Sequence, residues 1–245
     1  MNVQNQKRKR RISFALIILL IAAIGIGVYL MDYYPPSETA VIQLDRQTDS
    51  VQIARGKNMI SFIPDEAQIG IIFYPGGKVA YESYAPLMEL CAESGVLCVL
   101  LHMPANLAVL DLKAAEGIRE LYPQIQTWYL AGHSLGGTVA AIYLSDHAEE
   151  YEGLILLASY STADLADTQL RVLSVYGSED GVLNREAYEE NRAMLPEGFK
   201  EVIIDGGCHA YFGSYGEQDG DGTPAITPQE QQRQTVQEII SFLFP

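Results

Sequence analysis

The sequence predicts an α/β fold: a mostly parallel, doubly wound sheet with antiparallel N-terminal strands and no large cap. Three observations predict it. From residue 69 to the C-terminus, apolar segments of strand length alternate with segments of helical pattern, as parallel strands joined by crossover helices require. Ile69-Gly-Ile-Ile-Phe-Tyr74 is apolar almost throughout, which suits a central strand covered on both faces. Thr127-Trp-Tyr-Leu-Ala-Gly-His-Ser134-Leu-Gly-Gly137 passes from strand to helix through a turn flanked by glycines.

In chain order, residues 1–11 are polar and basic. Residues 12–31 (ISFALIILLIAAIGIGVYLM) form an apolar run, and roughly 20 such residues suffice to cross a bilayer as a helix. Lys7 to Arg11 on its N-terminal side imply a cytoplasmic N-terminus and a single-pass anchor. A cleaved signal peptide is the rival; the run is long for one and no A-x-A site follows it. Pro35-Pro36 stops this helix; residues 32–40 read as a linker and 41–245 as the globular domain, placed outside the cytoplasm. Val41–Leu44 and Met59–Ile63 alternate like antiparallel strands.

Beyond Ile69–Tyr74, helices are expected over 81–94, 107–121, 135–147, 186–195 and 228–243. Strands are expected over 96–101, 127–131, 154–158, 171–176 and 202–205. About a dozen residues separate Ser159 from Arg171, too few for an inserted cap domain.

The net charge is −15, although the first 31 residues hold no acidic side chain. The remainder is therefore strongly acidic, which argues against a nucleic-acid partner. Cys91, Cys98 and Cys208 contain no C-x-x-C pair, so no zinc knuckle or redox motif is expected; buried thiols are the simpler reading, with a Cys91–Cys98 disulfide open in an oxidising compartment. Asp219 and Asp221 do not follow the calcium-loop spacing, and 213–223 reads as a solvated loop. No metal or cofactor is implied.

Gly132-His-Ser134-Leu-Gly136 is a G-x-S-x-G nucleophile elbow in its required strand–turn–helix context. Ser134 is held strained with its hydroxyl displayed, and the Leu135 N–H at the helix start is free to bind an oxyanion. This stretch resembles the α/β-hydrolase superfamily. A serine nucleophile needs a base, and the chain has four histidines. His133 leaves the turn in another direction, His147 lies near a helix end, and His102 ends a strand at the rim. His209, in the loop after the last strand, is the candidate base.

For the carboxylate that orients it, the candidates are Asp164, Asp180, Asp205, Asp219 and Asp221, with Glu179 as a weaker rival beside Asp180. Asp180 follows a buried strand, and the order Ser134, Asp180, His209 matches the superfamily. Gly77, in Pro75-Gly-Gly-Lys78, is the second oxyanion donor, with Lys78 as its rival. Tyr81 and Tyr84 are candidates for an acyl pocket or for ordinary packing.

The runs YPGGKVAYESYAPL, AGHSLGG, GSEDG and GGCHAYFGSYG are similar to small capless hydrolases of the alpha/beta hydrolase fold-5 kind, akin to dienelactone hydrolases, over roughly residues 69–243. The resemblance implies Ser134 as nucleophile, Asp180 as acid and His209 as base. It departs from dienelactone hydrolases proper, which carry a cysteine nucleophile. The expected function is hydrolysis of carboxylic esters through an acyl-enzyme. An acyltransferase or thioesterase using the same residues, and a non-catalytic binding module, are the alternatives.

Overall fold

The computed structural model describes residues 3–45 and 50–245, without the side chains of 3–13, 15, 23 and 26. The chain divides into a short N-terminal unit ending at Tyr33 and a compact unit, Tyr34–Pro245. The first unit is one helix, α1 (Val3–Met31), whose Leu16, Ile17, Leu19, Leu20 and Ile24 are exposed. Among the described residues, no helix is long and apolar enough to cross a membrane. The basic tail 1–11 and the start of the expected anchor over 12–31 fall on side chains outside the described ones.

Eight strands form one sheet in the compact unit: β1 (Val51–Arg55), β2 (Met59–Pro64), β3 (Ile69–Tyr74), β4 (Val96–Leu101), β5 (Thr127–His133), β6 (Gly153–Leu157), β7 (Arg171–Gly177) and β8 (Lys200–Ile204). Their spatial order is β1-β2-β4-β3-β5-β6-β7-β8. β2 pairs antiparallel with β1 and with β4, and every other pairing is parallel. Because side chains alternate across a strand, Ile71 and Phe73 enter the core on one face, while Ile72 and Tyr74 enter the core on the other. Fully burying each such side chain is worth about 1.5–3 kcal/mol.

Helices α3 (Ala85–Glu93) and α6 (Pro228–Leu243) cover the first face. Helix α4 (Leu135–Ser145) covers the other. The α6 start is set by Thr227, whose hydroxyl accepts the Glu230 N–H at 3.2 Å, a side-chain cap followed by Pro228 in the first turn. β6 and β7 are joined by a loop without helix or strand, so no cap covers the sheet edge.

Two expected elements are corrected. Residues 41–44 are not a strand but part of helix α2 (Glu38–Asp45). Ala40 and Leu44, four residues apart, are its buried positions, and Val41 and Ile42 stay exposed or nearly so. The Ser37 hydroxyl accepts the Ala40 N–H at 3.3 Å and starts the helix. The first strand is β1 instead. The stretch expected as a linker, 32–40, is largely built into the compact unit: Tyr34 bridges Val79, and the Ser37 N–H donates to Ser214 O.

The helix expected over 107–121 is replaced by short 3₁₀ turns at Ala108–Leu110 and Arg119–Leu121. Tyr74 Oη accepts from Ala115 N–H at 3.1 Å and donates to Leu112 O at 3.4 Å, drawing off backbone groups that a helix would pair internally. Gly117 at φ +78° completes the break. The apolar spacing that suggested a helix leaves Val109, Leu110, Leu112 and Leu121 exposed.

Candidate functional site

β5 ends at His133 and α4 begins at Leu135, so one residue, Ser134, makes the turn. It sits at φ +51°, ψ −124°, a region that non-glycine residues enter only when their surroundings enforce it. The flanking glycines are the enforcement. A Cβ on Gly132 would lie 2.5 Å from Gly136 C, and one on Gly136 would lie 2.2 Å from Tyr74 O. The Ser134 N–H donates to Leu157 O at 2.9 Å, and Ser159 Oγ donates to Ser134 O at 2.7 Å. Both backbone groups are thereby fixed, and no hydrogen bond engages the hydroxyl among the described residues.

Strain at this edge extends beyond Ser134. Among the described residues, Lys78, Ala105, Asn106, Ser134 and Ala158 are the non-glycine residues at positive φ. They follow β3, β4, β5 and β6 respectively, always at the C-terminal end. Unfavourable backbone is concentrated at one rim of the sheet, where functional strain is found.

The structure brings His209 and Asp180 together. His209 Nδ1 lies 2.9 Å from Asp180 Oδ2 and 3.1 Å from Oδ1, with both side chains almost wholly buried. Asp180 Oδ1 also accepts the Val182 and Leu183 N–H groups at 2.9 and 2.8 Å. A carboxylate facing Nδ1 keeps a proton there, which leaves Nε2 as the basic nitrogen. The other carboxylates are elsewhere. Asp205, Asp219 and Glu179 are exposed, and Asp164 accepts the Ala166 N–H in a local turn.

Ser134 and His209 line one cavity of about 300 Å³. Its walls include Leu135, Ala158, Tyr160 and Leu183. No hydrogen bond joins Ser134 Oγ to His209 in this arrangement; such hydroxyl–imidazole bonds tighten when substrate binds.

The loop after β3 supplies the second half of the rim. Gly76 N–H donates to Tyr84 Oη at 3.1 Å and Lys78 N–H to Asn106 O at 2.7 Å. The Gly77 and Leu135 N–H groups make no hydrogen bond among the described residues, and a Cβ on Gly77 would lie 2.8 Å from the Leu135 side chain. Neither donor is committed, whereas the N–H of Lys78, the alternative, is engaged.

His133 has a role the sequence did not reveal. Its ring is buried between Tyr84 Oη, 2.8 Å from Nδ1, and His209 O, 3.1 Å from Nε2. A carbonyl can only accept, so Nε2 carries the proton and Nδ1 accepts from Tyr84. Burial first, and the neighbouring His209 second, hold His133 well below its ordinary value, so the ring is neutral. Tyr84 is fully buried and belongs to this chain of bonds rather than to an acyl pocket. Tyr81 packs tilted against His102 with ring centroids 4.6 Å apart, and His147 stacks on Tyr143 while bonding Glu150 at 2.8 Å.

The base loop is also held from outside. Gln231 on α6, fully buried, accepts the Cys208 N–H at 2.9 Å and donates to Cys208 O at 2.7 Å. Asp221 accepts backbone N–H bonds from Gly181, His209, Ala210 and Gly222. The solvated loop expected over 213–223 is thus corrected: its Asp221 is an anchor point. No spacing or motif flags either residue, because their partners are backbone groups distant in sequence. Cys91, Cys98 and Cys208 are buried and unpaired; burial, then Asp221, push the Cys208 thiol up to about 12. No cluster of metal-ligating side chains occurs among the described residues.

A family model described as the alpha/beta hydrolase family matches residues 70–234. Solved structures share the fold at low identity. Est1E from Butyrivibrio proteoclasticus is 14% identical with TM-score 0.57, covering 80% of this chain and 100% of its own. A Paleococcus ferrophilus monoacylglycerol lipase is 13% identical with TM-score 0.58, covering 78% and 99%. A dienelactone hydrolase from Anabaena variabilis ATCC 29413 is 16% identical with TM-score 0.53, covering 79% and 97%. No curated protein matches. Sheet order, strained turn and sequence match converge: this chain belongs to the alpha/beta hydrolase family.

Proposed function

We propose that the protein is a serine hydrolase acting on carboxylic esters. The observation that carries this reading is the cavity shared by Ser134 and His209, whose far nitrogen is fixed by Asp180. Ser134 Oγ attacks the ester carbonyl while its proton passes to His209 Nε2. The oxyanion is bound by the N–H groups of Leu135 and Gly77. The carbon–oxygen bond to the alcohol breaks, and the leaving alkoxide takes the proton from Nε2. Water then repeats the sequence on the acyl-enzyme, releasing the acid and restoring the serine. Asp180 holds the Nδ1 side of the ring and stabilises the imidazolium.

Ser134→Ala is expected to lower esterase activity by on the order of 10⁴-fold or more and to abolish labelling by a fluorophosphonate. Full activity in that variant would overturn the assignment.

The N-terminal helix is read as a membrane tether, with the N-terminus cytoplasmic and the hydrolase unit outside. The apolar sequence of 12–31 after Lys7–Arg11 supports this, as does the exposure of the Leu16–Ile21 side chains. The full-length chain is expected in the membrane fraction after alkaline extraction, with the hydrolase unit open to protease added from outside. Recovery in the soluble fraction with an intact N-terminus would refute the tether.

A further inference from the structure

The backbone of His209 is gripped on both its polar groups by side chains remote in sequence. Its carbonyl accepts from His133 Nε2 at 3.1 Å, and its N–H donates to Asp221 Oδ1 at 3.1 Å. With Nδ1 committed to Asp180, Nε2 is the one polar atom of the residue left for chemistry. Asp221 does more than hold His209. Its Oδ1 also accepts from Gly181 at 3.1 Å and Gly222 at 2.9 Å, and its Oδ2 accepts from Ala210 at 2.8 Å.

Gly181 directly follows Asp180, and Ala210 directly follows His209. One carboxylate therefore spans the turn that carries the acid and the loop that carries the base. The packing is made for it: a Cβ on Gly222 would lie 1.8 Å from Glu179 O, and one on Gly181 would lie 2.6 Å from Gly220 O. Burial alone would raise the Asp221 carboxyl, yet the four N–H donors outweigh it and hold the group below its ordinary value. It is ionised across the neutral range, with all four donors satisfied.

From this geometry we infer that Asp221 is a positioning residue for ester hydrolysis: it fixes the separation of the Asp180 turn from the His209 loop and so presents Nε2 to Ser134. The inference rests on the Ser134–His209–Asp180 reading above. Displacement of a reacting group by about 1 Å costs on the order of 10²-fold in rate, and a tether shared by both loops governs displacements of that size.

The test uses Asp221→Asn in the full-length chain. Asparagine keeps the Oδ1 acceptor of Gly181, His209 and Gly222 but sets an NH₂ against the Ala210 N–H, so the His209 loop loses one of its two bonds to this side chain while the Asp180 turn keeps its own. The fluorophosphonate labelling rate at Ser134 is expected to fall roughly 10- to 100-fold. kcat should fall by the same factor, with KM changed less than about twofold, since the group never meets substrate. The downfield proton resonance of His209 Nδ1–H should shift or broaden. Asp219→Asn, at an exposed acid of the same loop, should leave all of these unchanged.

Asp221→Ser serves as the second variant, and labelling is read at about 15 °C, near the stability maximum of most domains. A wild-type labelling rate in folded Asp221→Asn, with only a lower melting temperature, overturns the proposal. Failure of both variants to fold overturns it too, because the carboxylate then serves the fold rather than the reaction. Absence of labelling in the unaltered chain instead refutes the triad itself, and this inference with it.

Discussion

The turn that carries Ser134 and the loop that carries His209 meet at one edge of the sheet, yet different physics holds them. The serine turn is shaped where backbones touch. Gly132 lets its strand meet the helix, and Gly136 lets the helix start meet the end of β3, until a single Cβ would collide with backbone. The histidine loop is held differently. Its backbone is held by side chains of Gln231, Asp221 and His133, which come from the last helix, a glycine-rich loop and the elbow itself. A nucleophile can be specified by a few adjacent residues; a base has to be brought to it by the whole fold.

The contrast can be broken most severely at the serine turn. Gly136→Ala would place a Cβ against Tyr74 O and Pro75 O at 2.2 and 2.4 Å, both backbone atoms that cannot step aside. A destabilisation of at least about 4 kcal/mol is expected, read as a lowered denaturant midpoint or as insoluble protein. If the variant folds with near-native stability, close backbone approach at Gly136 does not shape the turn.

Tyr84→Phe strikes the bonded chain that links the two regions. It removes the acceptor of Gly76 N–H and the donor to His133 Nδ1, leaving two buried groups unpaired. A loss of about 2–3 kcal/mol is expected, with slower fluorophosphonate labelling as the oxyanion loop and His133 loosen together. Unchanged labelling would mean that the chain of bonds supports the fold alone.

The last expected effect, which is small near neutrality, is a matter of acidity. His133 is held well below its ordinary value of 6.5 in the folded state. On acidification the unfolded chain therefore binds a proton first. Stability should fall as the pH drops below about 6.5, with a slope approaching 1.4 kcal/mol per pH unit from this one group. The fall ends where the folded-state ring itself titrates. Denaturant unfolding across pH 4–7 would show it, and His133→Gln should flatten that limb of the curve.

The same contrast explains what could be read in advance. Strands β4 and β3 were legible because each is a short, almost wholly apolar run, and helix α6 because its apolar positions recur at helical spacing. Ser134, Asp180 and His209 were legible as residue types following strands in a telling order. The helix α2 was misread because Val41 and Ile42 are β-branched, while the buried spacing is that of Ala40 and Leu44. The stretch 107–121 was misread because Tyr74, more than thirty residues earlier, captures its backbone. Asp221, Gln231 and the tautomer of His133 were out of reach, since each is defined by backbone partners that only tertiary structure supplies.

Tyr34 pairs on both its backbone groups with the stretch that follows the oxyanion loop: its N–H donates to Lys78 O at 2.7 Å, and its carbonyl accepts from Ala80 at 3.0 Å. Three residues later Ser37 fastens to Ser214, beyond the base loop. Traction on the polypeptide ahead of Tyr34 would thus be delivered to the segments that follow Gly77 and His209 rather than to an inert edge. Versions shortened to begin at the first strand would lose that brace, whereas versions beginning ahead of residue 34 would keep it.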